Sequence, residues 1–335
     1  MLNFFKIAAN TFKESVREPI YTLLLMCAVL LIANFPFVAI FVFYDQVKMV
    51  VDSSMATTML FGLFAAVLCS SNTVSREMRD GTVLLLFSKP VFRWTFILSK
   101  IAGVMMSSLF FVLICNAASV VALYIAIDPF RVDFALYYIL LGLLVLGAAV
   151  GMVLNFARGS SFPAVMTIFM AVALPVMALA VMIFKEVPPE IILRDFLLAI
   201  SLLFFAVAAM ATLSVVFATR LDMVPNLCVS TVLFALGLMA NYLFQPESGI
   251  CSPFHLLFAD GNLVAQLDSW CRTLFYALLP NWQFFWLADA LAGGRPVPWS
   301  YVGAAALYVV LYISLGCLWA VTLFQTQEAA KDARV

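Results

Sequence analysis

The side chains best placed to do chemistry lie in one short stretch. From residue 74 to residue 100 the chain reads Val-Ser-Arg-Glu-Met-Arg-Asp, then Gly-Thr, then Val-Leu-Leu-Leu-Phe, then Ser-Lys-Pro-Val-Phe-Arg-Trp-Thr-Phe-Ile-Leu-Ser-Lys. Arg76, Glu77, Arg79 and Asp80 make a charged helical turn. Gly81 is a helix stop, and Thr82 caps a new short helix. That helix carries Val83, Leu84, Leu85, Leu86 and Phe87 and ends at Pro90. Arg93 and Lys100 are expected at lipid headgroup level. This pattern does no bond chemistry. A short apolar helix bracketed by charge must cover its surface, either on a bilayer or in the groove of a partner.

Other reactive residues are sparse. His255 is the single histidine, with no partner set for zinc or for a Ser-His-Asp triad. Cys27, Cys69, Cys115, Cys228 and Cys317 fall in or beside apolar blocks and read as small hydrophobes. Cys251 and Cys271 share a long loop region, 245–300. They are candidates for a disulfide if that side is oxidising, worth roughly 3 kcal/mol in the chain-entropy model. No G-x-x-x-x-G-K-[ST] occurs, so the chain has no P-loop for ATP.

The elements that must position these residues are membrane helices. Of 335 residues, 65% are apolar and only 11% charged, with 18 basic and 18 acidic. The mean hydropathy is +1.10. Soluble domains run about 45–50% apolar and about 25% charged. The balance excludes a soluble enzyme, a disordered chain and a nucleic-acid binder. Apolar blocks fall at 20–44, 55–73, 98–127, 134–156, 162–184, 196–218, 226–244 and 301–324, each near the ~20 residues that cross a bilayer. The expectation is an all-α polytopic protein of about eight transmembrane helices. A weaker run at 273–292, broken by Pro280, Asn281 and Asp289, reads as a re-entrant or interfacial hairpin. The domain reading is an interfacial helix at 1–19, a transmembrane domain at 20–324 and a tail at 325–335.

Residues 1–19 form an amphipathic helix. Leu2, Phe4, Phe5, Ala8, Ala9, Phe12 and Val16 share one half of the wheel, and Lys6, Lys13, Glu14, Arg17 and Glu18 the other; Ile7 is misplaced. Such a helix lies in the membrane interface, and Pro19 ends it. It serves as an anchor or as a mechanical element. The 25-residue run that follows is too long for a signal-peptide core and is expected to be retained as the first span.

Eight spans put both termini on one side. With the termini in the cytoplasm, 12 of the 18 basic residues fall inside, as the positive-inside rule requires. Beyond Lys100 at the edge of the third block, the blocks hold no Asp, Glu, Lys, Arg or His. This argues against proton-coupled carriers and intramembrane proteases, which need ionisable groups at depth. Gly147–Gly151 and Gly103–Ser107 are close-packing pairs, for contacts within one subunit or, less simply, a dimer seam. Pro36, Pro163 and Pro175 are expected to kink their helices.

The stretch 74–100 resembles the intracellular loop of type-2 ATP-binding-cassette (ABC) exporter permeases: Glu, Gly-Thr, apolar residues, Pro, a basic residue and a Lys. Here these are Glu77, Gly81, Thr82, Leu85, Phe87, Pro90, Arg93 and Lys100. The first helix, with Glu14, Arg17 and Glu18 before Pro19, is similar to the family's elbow helix, and Leu-Pro-Asn-Trp-Gln-Phe-Phe-Trp at 279–286 to a sequence in one branch. The matching segments cover about a fifth of the chain, and the family's typical six spans differ from the eight counted here. The resemblance implies a transport subunit, not an enzyme. It implies a bacterial inner-membrane location with cytoplasmic termini, and pairing into a homodimer or heterodimer. ATP would bind on a separate ABC subunit, and this chain would hold no cofactor or metal. The runner-up readings are an integral membrane enzyme acting on lipid-like substrates and an assembly protein without transport.

Overall fold

The computed structural model describes residues 2–41, 46–79, 92–126, 132–185, 193–245 and 262–332. All regular structure among them is helical. Helix α1 (Leu2–Arg17) is followed by α2 (Pro19–Ala39), α3 (Gln46–Ser70), α4 (Arg93–Ile125), α5 (Phe134–Arg158), α6 (Phe162–Phe184) and α7 (Leu193–Ala218). Then come α8 (Met223–Leu238), α9 (Ala240–Phe244), α10 (Asn262–Leu278), α11 (Ala288–Ala292) and α12 (Trp299–Asp332). Helices α2 to α7 and α12 are the seven described helices long and apolar enough to cross a membrane. The chain is a polytopic helical membrane protein.

An eighth pass is made in two pieces. Helix α7 ends beside the close of α12, where the Arg220 guanidinium donates to the Leu323 carbonyl at 2.9 Å. Helix α12 starts at the other end, where Arg194 lies over the Trp299 ring. The chain between them must therefore return along the bundle. Helices α8 and α9 do this, broken at Met239. The expected run at 226–244 is thus a pass, though no single helix of it reaches membrane length.

Helices α3, α4 and α7 form the centre. The apolar stretch of α4 is 83% buried, against 22% for α5 and for α12. Several polar groups bond across helix–helix contacts, as hydrocarbon surroundings favour. The Tyr21 hydroxyl donates to the Ser107 carbonyl at 2.8 Å, Thr22 and Thr167 share a bond of 3.1 Å, and the Asn116 amide donates to the Ile200 carbonyl at 2.8 Å. These tie α2 to α4, α2 to α6, and α4 to α7.

The close-packing pairs act within the subunit. A Cβ at Gly147 would stand 2.8 Å from Met170 and Phe169, and one at Gly151 would stand 2.9 Å from Phe162, so this pair seats α5 on α6. A Cβ at Gly103 would stand 2.6 Å from Thr11, so α4 admits α1 at the one position without a side chain.

That contact corrects the expected wheel of α1. Its buried stripe is Ala8, Thr11, Ser15 and Val16, whereas Phe5 is 69% exposed and Ala9 is exposed. The small, hydroxylated side fits against Gly103, Phe12 packs edge-on against Phe110 of α4, and the Phe5 ring is left outside. Helix α1 does end before Pro19, with Glu18 extended. Pro36 and Pro175 lie inside helices, but Pro163 sits in the first turn of α6. There it costs no hydrogen bond and starts the helix rather than kinking it.

Asp133 caps α5 by accepting from the Leu136 amide at 3.0 Å and is bonded to Lys185, which ends α6. The hydrogen bond from Lys185 holds the Asp133 carboxyl below its ordinary range. Its stabilisation is therefore present above the unfolded carboxylate value and is lost as pH falls through the depressed one. Asp133→Asn keeps the cap and removes the charge. It should cost no more than about 1 kcal/mol at neutral pH, and thermal melts in detergent should show the gap from wild type closing in strong acid.

Candidate functional site

The densest polar arrangement with charge at its heart lies where α1, α3 and α4 meet. Helix α3 does not stop at Ser70. It runs through a π turn, Ser71–Ser75, into a last α turn, Arg76–Arg79. The local sequence Ser-Ser-Asn-Thr explains the irregularity. Hydroxyls in a helix bond back to its own carbonyls and loosen the ladder; here Ser70 donates to Val67 at 2.9 Å and Thr73 to Cys69 at 2.6 Å. The Arg76 amide then reaches Ser71, five residues back. Such π turns are rare and concentrate at functional positions.

Lys100 of α4 points into this turn. Its ammonium donates to Glu77 Oε1 at 2.8 Å and to the Thr73 carbonyl at 3.2 Å, and lies 5.8 Å from the centre of the Phe96 ring. Its side chain is 3% exposed and that of Glu77 27%. Lys100, expected at headgroup level, is thus buried inside the protein. An ammonium there is tolerated only because it is paired and hydrogen-bonded. The pair also ties together the two chain ends that flank 80–91.

The turn is held from behind. Asn226 of α8 is fully buried. Its amide donates to Ser70 Oγ at 3.3 Å, Ser71 Oγ at 3.2 Å and the Ser214 carbonyl at 3.2 Å, while its oxygen accepts from Ser230 at 3.2 Å. Ser75 donates to Asp222 at 3.3 Å. In front lies α1, whose Glu14, Arg17 and Glu18 line a cavity of about 500 Å³ together with Glu77. Burial raises the Glu14 carboxyl above its ordinary value; the Lys100 charge opposes this, and Glu77 and Glu18 add to it.

Four residues singled out in the sequence therefore come together: Glu14, Arg17, Glu18 and Glu77. Arg93 opens α4. Gly81, Thr82, Leu85, Phe87, Pro90 and the expected short helix lie outside the described residues. So do Cys251 and His255. Cys271 lies partly buried on α10, and the bridge expected to Cys251 falls with that residue outside the described ones. Sequence reasoning missed Asn226, Thr73 and Asp222. The one available signal was the hydroxyl run at 70–75, followed at once by charge.

The opposite end of the bundle carries a different network, uncharged at its heart. The expected hairpin at 273–292 is the end of α10, a 3₁₀ turn at Trp282–Phe285, and α11. Asn241 accepts from Tyr276 at 3.0 Å and from the Asn281 side chain, and it donates to Gln283. Gln283 donates to the Leu238 carbonyl at 2.8 Å, which satisfies a group freed by the break at Met239. Trp286 donates to Asp52 of α3 at 2.6 Å, and Lys48 pairs with Asp289 at 3.3 Å. A cavity of about 630 Å³ opens among these residues.

No family model and no curated protein matches this chain.

The Glu77–Lys100 pair makes an asymmetric prediction. Glu77→Gln strands a buried ammonium and should cost about 3 kcal/mol, the low end for a broken buried pair. Lys100→Met removes the buried charge and leaves Glu77 able to hydrate, so it should cost less. The double variant should match Lys100→Met. Melting temperatures of the three purified proteins check the order.

Proposed function

We propose that this chain is the membrane-spanning permease subunit of an ABC exporter, driven by a separate ATPase subunit that docks on segment 74–100. In this reading the α1 end faces the cytoplasm, and two permease subunits pair around the transport path.

The observation that carries the reading is the Lys100 bond to Glu77 and Thr73. It joins both ends of the docking segment to α3 and α4, two of the three central helices. A force applied to the segment enters the core directly and does not dissipate in a loose loop. Glu77 also faces the cavity of α1, so the elbow helix shares the same joint. The chain has no P-loop, which fits a division in which nucleotide chemistry belongs to a partner. The polar hairpin at the opposite end then serves as an outer gate, pinned by Asn241, Asn281 and Gln283.

Two variants test this. With tagged full-length chain, an ATPase carrying a P-loop should co-purify from native membranes, and the reconstituted complex should hydrolyse ATP. Leu85→Asp should lose the ATPase, because a carboxylate cannot enter an apolar groove. Glu77→Ala should retain the ATPase but lower turnover severalfold. Absence of any such ATPase from the wild-type preparation overturns the proposal. Full association and full turnover in both variants would do the same.

A further inference from the structure

We propose that the cavity between α1 and the end of α3 is a binding site for a phospholipid with a primary-amine headgroup, phosphatidylethanolamine by chemistry. This inference needs only that the protein lies in a membrane; it does not rest on the transport reading.

The cavity holds about 500 Å³ and is lined by Asn10, Lys13, Glu14, Arg17, Glu18, Pro19 and Glu77. That volume is within the ordinary range for small-molecule sites. The wall is unusual in carrying both signs. Lys13 and Arg17 are exposed, whereas Glu14, Glu18 and Glu77 are partly buried. Glu18 sits at the N-cap of α2, yet its carboxylate makes no capping bond. It is thus left to face the cavity, and Glu14 is a carboxylate whose charge burial disfavours. Cations at the rim and carboxylates deeper in are the complement of a headgroup that presents an outer phosphate and an inner ammonium. A primary ammonium offers three N–H donors to those carboxylates. A quaternary ammonium offers none, so the site discriminates between the two by charge-assisted hydrogen bonds.

The position also suits a lipid over a soluble molecule. Amphipathic α1 sets the cavity at the interface level. Pro19, in the cavity wall, begins α2, whose next exposed side chains are Ile20 at 46% and Leu23 at 61%. An acyl chain attached to a headgroup in the cavity would continue along this apolar strip. Glu77 is also a partner of Lys100, so an occupied cavity bears directly on the π turn.

The test uses the full chain, delipidated in detergent and incubated with phosphatidylethanolamine, phosphatidylcholine or phosphatidylglycerol, with retained lipid counted by native mass spectrometry. Phosphatidylethanolamine should be held about tenfold more tightly than phosphatidylcholine. Glu14→Gln combined with Glu18→Gln should erase that preference. Arg17→Gln should weaken both lipids alike, because they share the phosphate. Equal retention of the two lipids by the wild-type protein, which requires no substitution, overturns the proposal. A preference that survives in the double glutamine variant overturns it too. Excess soluble phosphoethanolamine should fail to displace the lipid. If it displaces the lipid fully, the ligand is a free headgroup compound and the lipid assignment falls.

Discussion

An ammonium ion inside a membrane protein is the constraint from which the rest of this structure can be understood. Lys100 lies about two turns into the third span with its side chain buried. The charge must be neutralised and its protons placed. Glu77 supplies the neutralising charge, the Thr73 carbonyl a second acceptor, and the Phe96 ring a soft third face. Each demand fixes something larger. Glu77 must be brought back toward the bundle, so α3 must continue past Ser70. Thr73 must turn a carbonyl sideways, and a π turn does so. The turn must itself be braced, and buried Asn226 braces it from α8.

The two ends of the bundle satisfy polar groups by contrasting means. At the α1 end the network has formal charge, with Glu14, Glu18, Glu77 and Lys100 close enough to shape one another's electrostatics. At the far end the heart of the network is amide and phenol. Asn241, Asn281, Gln283 and Tyr276 saturate one another and stitch a broken helix to a 3₁₀ turn. Neutral lattices of this kind resist changes in pH and salt, whereas charged ones respond to both. The carboxylate cluster at the α1 end is therefore a responsive part of the molecule, as is the Asp133–Lys185 pair at the other.

Much of the fold was legible because hydropathy measures the property the bilayer selects for. The apolar blocks give the passes, and Pro19 gives the boundary between α1 and α2. The wheel of α1 misled, because it sorted residues by polarity. Packing against Gly103 sorts by size, and Ala8, Thr11 and Ser15 won the protein-facing side over Phe5. Lys100 was legible as a charge near a span edge, but only the course of α3 reveals that a carboxylate stands ready to receive it. Asn226 was invisible, since its partners Ser70 and Ser71 come from a helix 156 and 155 residues away in sequence. Of the candidate site, the charged residues were legible by type, and their convergence was not.

The π turn has a further consequence for helical phase. A π turn holds one residue more than an α turn would in its place. Everything beyond it, including Glu77, is thereby set round the axis by about 100° relative to an uninterrupted helix. Residues 46–79 wound as a plain α-helix would present a different edge to Lys100. The phase of the last turn, Arg76–Arg79, is thus written in a single surplus amino acid.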